Sequence, residues 1–136
     1  MAVAARVSVQ GTEAVVAMLR RLAPAKNQEI ARRALKILAF EVQRVATREE
    51  ILPGGKGPPD PHRLTSRTGT LRRSIAVDQS SLPFSVSVGT DLVYGAVHEL
   101  GIPPFPPRPF LQPAIDKVSP TIAEVFRREW EKEARA

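Results

Sequence analysis

The sequence predicts a small α+β domain, in which a small antiparallel sheet packs against two long amphipathic helices. Short segments with alternating apolar residues predict strands near the N-terminus and in the middle of the chain. Two longer segments with apolar residues three and four positions apart predict the helices. A long basic loop rich in proline and glycine separates these regions. Because there is no internal repeat and no domain boundary, we expect residues 1–136 to form one domain.

The N-terminal half is predicted to be mostly helical. Alternating valines over residues 3–9 predict a first strand, and a short helix is expected over about 13–22. A long helix is expected over about 26–51, roughly 37 Å at ~1.5 Å per residue, so that one end projects beyond the core. Its apolar stripe consists of Ile30, Ala34, Ile37, Leu38, Val42 and Val45.

A flexible loop is predicted over residues 53–67. Its first ten residues hold three glycines and four prolines and show no apolar periodicity. Five basic residues and one acidic residue between Lys56 and Arg73 give that segment a net charge of +4. The residues predicted to contact phosphates or an acidic patch on a protein partner are Lys56, Arg63, Arg67, Arg72 and Arg73. The composition is explained equally well by a solvated loop without a partner, whose charge keeps the protein soluble.

The centre of the chain is predicted to supply the remaining strands. One or two helical turns are expected within 68–75, and a strand starts at Ile75 and Val77. After a turn at 80–83, Phe84, Val86 and Val88 predict a strand with one face towards the core. A turn is expected at 89–91. Residues 92–100 suit either a strand or a short helix that Gly101 closes.

Six of the eleven residues from Pro103 to Pro113 are prolines. This composition predicts a stiff, extended arm of polyproline type, from which Phe105 and Phe110 project. The arm either docks on a neighbouring subunit or locks against its own fold, with Phe110 and Leu111 in the core. A second long helix follows, with a kink or restart at Pro120. Its apolar stripe consists of Leu111, Ile115, Val118, Ile122, Phe126 and Trp130.

The composition narrows the possible classes of function. The chain has no cysteine, so neither a disulfide nor a thiolate metal site is possible. No apolar stretch approaches the roughly 20 residues of a membrane span, and no secretory signal is expected. A net charge of +6 and a pI near 10.5 favour contact with nucleic acid or acidic protein surfaces. Aromatic residues make up 5%, which leaves few stacking platforms for bases.

The motifs of catalysis are missing from the sequence. His98 and Glu99 begin a zinc-protease motif, but Ile102 occupies the position of its second histidine. The run from Gly54 to Gly57 continues into two prolines and therefore lacks the helix of a phosphate-binding loop. There is no nucleophile elbow. We therefore predict no enzymatic activity, no cofactor and no metal, and we expect His98 to be a half-buried helix residue.

Three segments, in their order and spacing, resemble the tail-completion or head–tail joining (neck) proteins of long-tailed phages and related prophages. Residues 67–75 resemble that family's Gly-x-Leu-x-x-Ser-Ile element, which follows a long loop. Residues 88–101 resemble its Val-Gly segment, followed by Tyr-Ala and a Glu-aromatic-Gly close. Here Gly95 stands between Tyr94 and Ala96, and Leu100 replaces the usual aromatic residue. Residues 107–114 are similar to its Pro-x-Pro-Phe-Leu-x-Pro-Ala signature. The likeness extends to minor tail protein Z-like and prophage tail-terminator-like proteins.

The resemblance implies a structural virion protein in the phage neck, assembled in the cytoplasm of the host bacterium. Such proteins form a homo-oligomeric ring, usually a hexamer, that completes the tail and joins it to the head connector. Expected partners are further copies of the chain, the connector or stopper, and the tail tube, with DNA only in passing and no membrane. The residues expected at the subunit or partner interface are Tyr94, Glu99, Phe105, Arg108, Phe110 and Leu111.

Two other functions fit parts of the sequence. A small basic nucleic-acid-binding protein fits the charge, and it predicts duplex binding that weakens steeply with salt. An adaptor fits the Pro-x-x-Pro spacings beside Arg108, which resemble ligands of aromatic-grooved domains. The adaptor predicts a stable monomer with an exposed arm.

Overall fold

The computed structural model describes residues 5–8, 24–52, 63–66 and 68–135, and within them it has a small α+β fold. The strands are β1 (Ala5–Ser8), β2 (Ile51–Leu52), β3 (Leu64–Thr65), β4 (Ala76–Asp78) and β5 (Ser87–Thr90). The helices are α1 (Pro24–Val45), α2 (Thr70–Ser74), α3 (Val93–Leu100), α4 (Leu111–Val118) and α5 (Ile122–Arg135). None of these helices is long and apolar enough to cross a membrane. The short helix expected over 13–22 lies outside the described residues, as do Lys56 and Arg67.

Helix α1 forms the centre of the fold, and it begins at a proline whose missing N–H costs nothing in the first turn. It ends earlier than the sequence predicted: a π-helical turn, Ala46–Glu50, follows it and leads into β2. Its buried apolar residues are Ile30, Ala31, Ala34, Leu35, Leu38, Ala39, Val42 and Val45. Ile37 was expected in this stripe but is 45% exposed. It lies roughly 200° around the helix from Leu35, which takes the core position instead.

The predicted antiparallel sheet is present and has three strands in the order β1-β5-β4. Val88 of the central strand pairs with Val7 on one side and Val77 on the other. Strand β5 is shifted along the chain from its expected position. It includes Gly89 and Thr90, which were expected in a turn, whereas Phe84 lies before it and is exposed. A second, parallel pair of β2 and β3 was not predicted.

The C-terminal helices close the core over α1. Residues 92–100, which suited a strand or a helix, form α3, and Gly101 ends it with φ of 69°. A 3₁₀ turn, Ser119–Thr121, separates α4 from α5, which confirms the break expected at Pro120. Both helices pack against α1, through buried residues that include Leu111, Ile115 and Phe126. Trp130 was expected on the same stripe but is exposed.

Helices α1 and α5 are joined by a buried carboxylate. The side chain of Glu129 is only 3% exposed, and its two oxygens accept hydrogen bonds from Arg33 Nε at 3.0 Å and Lys132 Nζ at 2.9 Å. The bond from Lys132, and then that from Arg33, holds the pKa of Glu129 below its ordinary value of 4.5, although burial opposes them. A lowered folded-state pKa means that the ionised carboxylate stabilises the fold.

This stabilisation is present above the unfolded pKa and is lost as the pH falls through the lowered folded pKa. We therefore expect the wild-type chain to lose more stability between pH 7 and pH 3 than the Glu129→Gln variant, as measured by urea unfolding. Glu124→Gln is the control, because the pKa of Glu124 is also lowered, by Arg127 first, but solvent screens this exposed pair. Equal losses for wild type and Glu129→Gln would contradict the prediction.

Candidate subunit interface

Glu99 fixes the start of helix α4 from eleven to thirteen residues away. Its Oε2 accepts hydrogen bonds from the backbone N–H groups of Phe110 at 2.8 Å and Leu111 at 3.0 Å, and its Oε1 accepts one from Gln112 at 2.9 Å. A helix leaves its first N–H groups without partners, and Phe110, at the cap position, supplies no side-chain bond. The half-buried carboxylate satisfies three of these groups and also meets the positive end of the helix dipole.

The proline-rich segment is a compact turn, which corrects the expectation of an extended polyproline arm. The N–H of Phe105 donates to the carbonyl of Ile102 at 3.0 Å, and the Pro103–Pro104 peptide bond is cis. The N–H of Arg108 donates to the carbonyl of His98 at 2.7 Å, which returns the chain to the end of α3. A Cβ atom on Gly101 would lie 2.7 Å from the backbone nitrogen of Pro107, so this position requires glycine.

Phe110 and Leu111 are fully buried in the core of their own subunit. They belong to the apolar cluster that α1 and α4 share with the three-stranded sheet. Of the two alternatives left open by the sequence, the structure therefore selects the internal one. This corrects the expectation that these two side chains contact a neighbouring subunit, because neither is accessible to one.

The exposed side of this region is apolar. The apolar patch consists of Val93, Tyr94, Leu100, Ile102 and Phe105, whose exposed fractions lie between 43% and 74%. Gly95, Ala96 and Glu99 turn one side of α3 inward, so Val93, Tyr94 and Leu100 face outward. The ring of Phe105 lies edge-on to that of His98, with centroids 6.2 Å apart, which holds the turn against α3. Exposed apolar side chains of this kind are a common feature of interaction sites.

Two of the expected interface residues, Glu99 and Arg108, are not part of the apolar patch but lie beside it. Arg108 is half-buried, and its charge, after the larger effect of burial, lowers the pKa of His98 below its ordinary value of 6.5. Both effects favour the neutral form of the His98 ring. Tyr94 belongs to the patch, whereas Glu99 acts inside the subunit by holding the turn. Of the residues expected at the interface, Tyr94, Phe105 and Arg108 therefore remain candidates.

Two of the predicted partner-facing cations act within the fold. Arg72 is half-buried, and its Nη2 donates to the carbonyl of Ile51 at 2.7 Å. Arg63 is exposed and its Nη2 donates to the carbonyl of Glu49. Both carbonyls lie where α1 and its π turn end, a place that favours cations. Arg73 is exposed, and its Nη2 makes a long, local hydrogen bond to the carbonyl of Thr68 at 3.4 Å.

A second exposed apolar surface lies where α1 and α5 meet. The α1–α5 face consists of Ile37 and Phe40, which are 45% and 42% exposed, with Arg33, Lys36 and Lys132 around it. This face was not predicted, because the apolar spacing on α1 assigned Ile37 to the core. The available signal was the surplus of apolar residues on α1, which exceed what one buried stripe accommodates.

A cavity of about 230 Å³ opens between the β2–β3 pair, α2 and α3. Ile51, Leu64 and Leu71 line its apolar side, and Arg72, Tyr94 and His98 also border it. Within the part of the chain that the structure describes, no group of three or more His, Cys, Asp or Glu residues is placed to hold a metal ion. Comparisons with known protein families, curated proteins and solved structures found no significant match to this chain.

Proposed function

We propose that this chain is a structural protein of a tailed phage or prophage, which forms a ring at the head–tail interface and joins the tail to the head connector. The proposal rests on the resemblance of residues 67–75, 88–101 and 107–114 to neck proteins. The observation that carries it is the apolar patch on the surface, whose shape is held by the hydrogen bonds that Glu99 accepts and by the one that the Arg108 N–H donates. A preformed apolar surface of this kind suits permanent assembly.

A ring also requires a second surface. Subunits in a ring make head-to-tail contacts, in which one surface of each copy meets a different surface of the next. The apolar patch and the α1–α5 face are separate surfaces on one subunit, formed by different helices. We propose that they contact each other in neighbouring copies, and that a hexamer results. The basic segment around Arg73 then faces an adjoining protein ring or the DNA that passes through.

This arrangement predicts the effect of charges placed on either surface. Phe105→Glu and Phe40→Glu should each lower the affinity between subunits by at least tenfold, because each buries a charge in an apolar contact at a cost above about 1.4 kcal/mol. Each variant alone should remain a monomer. An equal mixture should form dimers, since each variant keeps the surface that the other lacks. Size-exclusion chromatography with light scattering measures the masses.

Phe84→Glu is the matched control, because Phe84 is similarly exposed but lies on the β4–β5 connection, outside both surfaces. It should assemble as the wild type does. A wild-type chain that stays monomeric at high concentration, or a Phe105→Glu variant that assembles normally, would contradict the ring. Electron microscopy of phage particles lacking the protein tests the role itself: tail-less heads beside free tails are expected.

A further inference from the structure

The cavity between the β2–β3 pair, α2 and α3 differs in chemistry from both apolar surfaces. One side is apolar, and the other carries hydroxyl groups, among them Ser66, Thr68 and Thr70. None of the described residues that line it is an aspartate or glutamate, whereas Arg72 places a permanent positive charge at its wall. A cavity with one cation, several hydroxyl groups and no acid attracts an anion.

The guanidinium of Arg72 retains capacity for a ligand. Its Nη2 donates to the Ile51 carbonyl, which anchors the side chain without neutralising its charge. In the described residues its Nε is buried without a hydrogen-bond partner, and no carboxylate there forms an ion pair with the guanidinium, so the positive charge is uncompensated. A half-buried arginine without an acid is unusual, since buried charges are as a rule paired. A ligand with a carboxylate would supply the missing charge.

The hydroxyl groups are placed to assist. Thr68 Oγ1 and Thr70 Oγ1 lie 2.9 Å apart and hydrogen-bond to each other, so one of the two protons remains to be donated elsewhere. Tyr94 contributes a further hydroxyl at the border that the cavity shares with the apolar patch. A carboxylate held by Arg72 would therefore have neutral hydroxyl donors around it, which can hydrogen-bond to its oxygens.

We propose that this cavity binds the carboxylate of a glutamate or aspartate side chain presented by a protein partner. A single guanidinium matches the single charge of a carboxylate, and a hydrogen bond between two charged groups is stronger than one between neutral groups. A phosphate dianion would keep one uncompensated charge against the apolar wall. Because Tyr94 borders both the cavity and the apolar patch, the same partner can occupy both. The site follows from the cavity alone and does not depend on the ring proposed above.

The test is a titration of the full ¹⁵N-labelled chain with N-acetylglutamate amide, a blocked amino acid with one side-chain carboxylate, followed by two-dimensional NMR. We expect saturable shifts confined to the amides of 64–66, 68–72 and 94–98. Sodium chloride and sodium phosphate at equal ionic strength should not reproduce them. No saturable shift with the blocked glutamate, or tighter binding of phosphate, would overturn the proposal.

Variants locate the site. Arg72→Gln should weaken binding at least tenfold, whereas Arg128→Gln, which removes an exposed arginine of α5, should leave it unchanged. Thr70→Val replaces a hydroxyl by a methyl group and leaves the Arg72 anchor intact, so it serves if Arg72→Gln does not fold. We expect it to weaken binding several-fold. Unchanged affinity in a folded Arg72→Gln variant, or in Thr70→Val, would show that the cavity is not the site.

Discussion

Phe110→Ala is expected to lower the free energy of unfolding by about 3–5 kcal/mol, the usual cost of removing a buried phenylalanine ring. The ring is fully buried, at the point where α4 begins and packs on α1. Its neighbours are held by the helix and by the Glu99 hydrogen bonds, so they cannot collapse into the space left behind. Since whole domains are stable by only about 5–15 kcal/mol, this change removes a large part of the free energy of unfolding. Urea unfolding followed by circular dichroism measures the change.

Phe105→Ala is the matched control, because it removes the same ring from an exposed position in the same proline-rich segment. Its stability should fall by about 1 kcal/mol, because only the edge contact with the His98 ring is lost. The two variants thus separate a core residue from an interface residue. Equal stability of Phe110→Ala and the wild type would show that the ring does not lie in the core.

These two phenylalanines differ in burial, and the sequence did not predict this difference. Each stands beside prolines, and the sequence predicted that both project from one stiff arm. Local stiffness follows from proline, but the direction of the chain depends on contacts distant in sequence. The turn at Ile102–Phe105 and the return of Arg108 to His98 decide which ring points inward. These are backbone hydrogen bonds, which carry no side-chain pattern that could be recognised beforehand.

The long helix shows what periodicity does predict. Most of the expected stripe, including Ala34, Leu38 and Val42, is buried, because a spacing of three and four residues places side chains on one face. The misplacement of Ile37 has a physical reason: an apolar residue next to the stripe satisfies the same spacing, and only the packed partner decides between them. The role of a basic residue was equally difficult to predict. Arg72 lies in a basic segment, but its guanidinium donates to the Ile51 carbonyl, just after the π turn that follows α1.

The capping role of Glu99 was also beyond the sequence pattern. Caps are usually sought within the first turn, as a serine, threonine, aspartate or asparagine beside the helix. Here the position before α4 is Phe110, and the acceptor comes from the preceding helix. One carboxylate thereby connects α3, the proline-rich turn and α4. The apolar patch lies on two of these elements, so its shape depends on a residue that contributes no apolar surface.

Glu99→Ala is therefore expected to lower the free energy of unfolding by about 3 kcal/mol, because three N–H groups lose a charged acceptor in a half-buried site. Glu99→Gln keeps one acceptor oxygen without the charge and should lose about half as much. The control is Glu131→Ala, an exposed glutamate paired only with Arg127 among the described residues, with an expected loss within about 0.5 kcal/mol. Urea unfolding compares the three variants. If Glu99→Ala were no less stable than Glu131→Ala, the carboxylate would not hold α4, and the apolar patch would owe its shape to the proline turn alone.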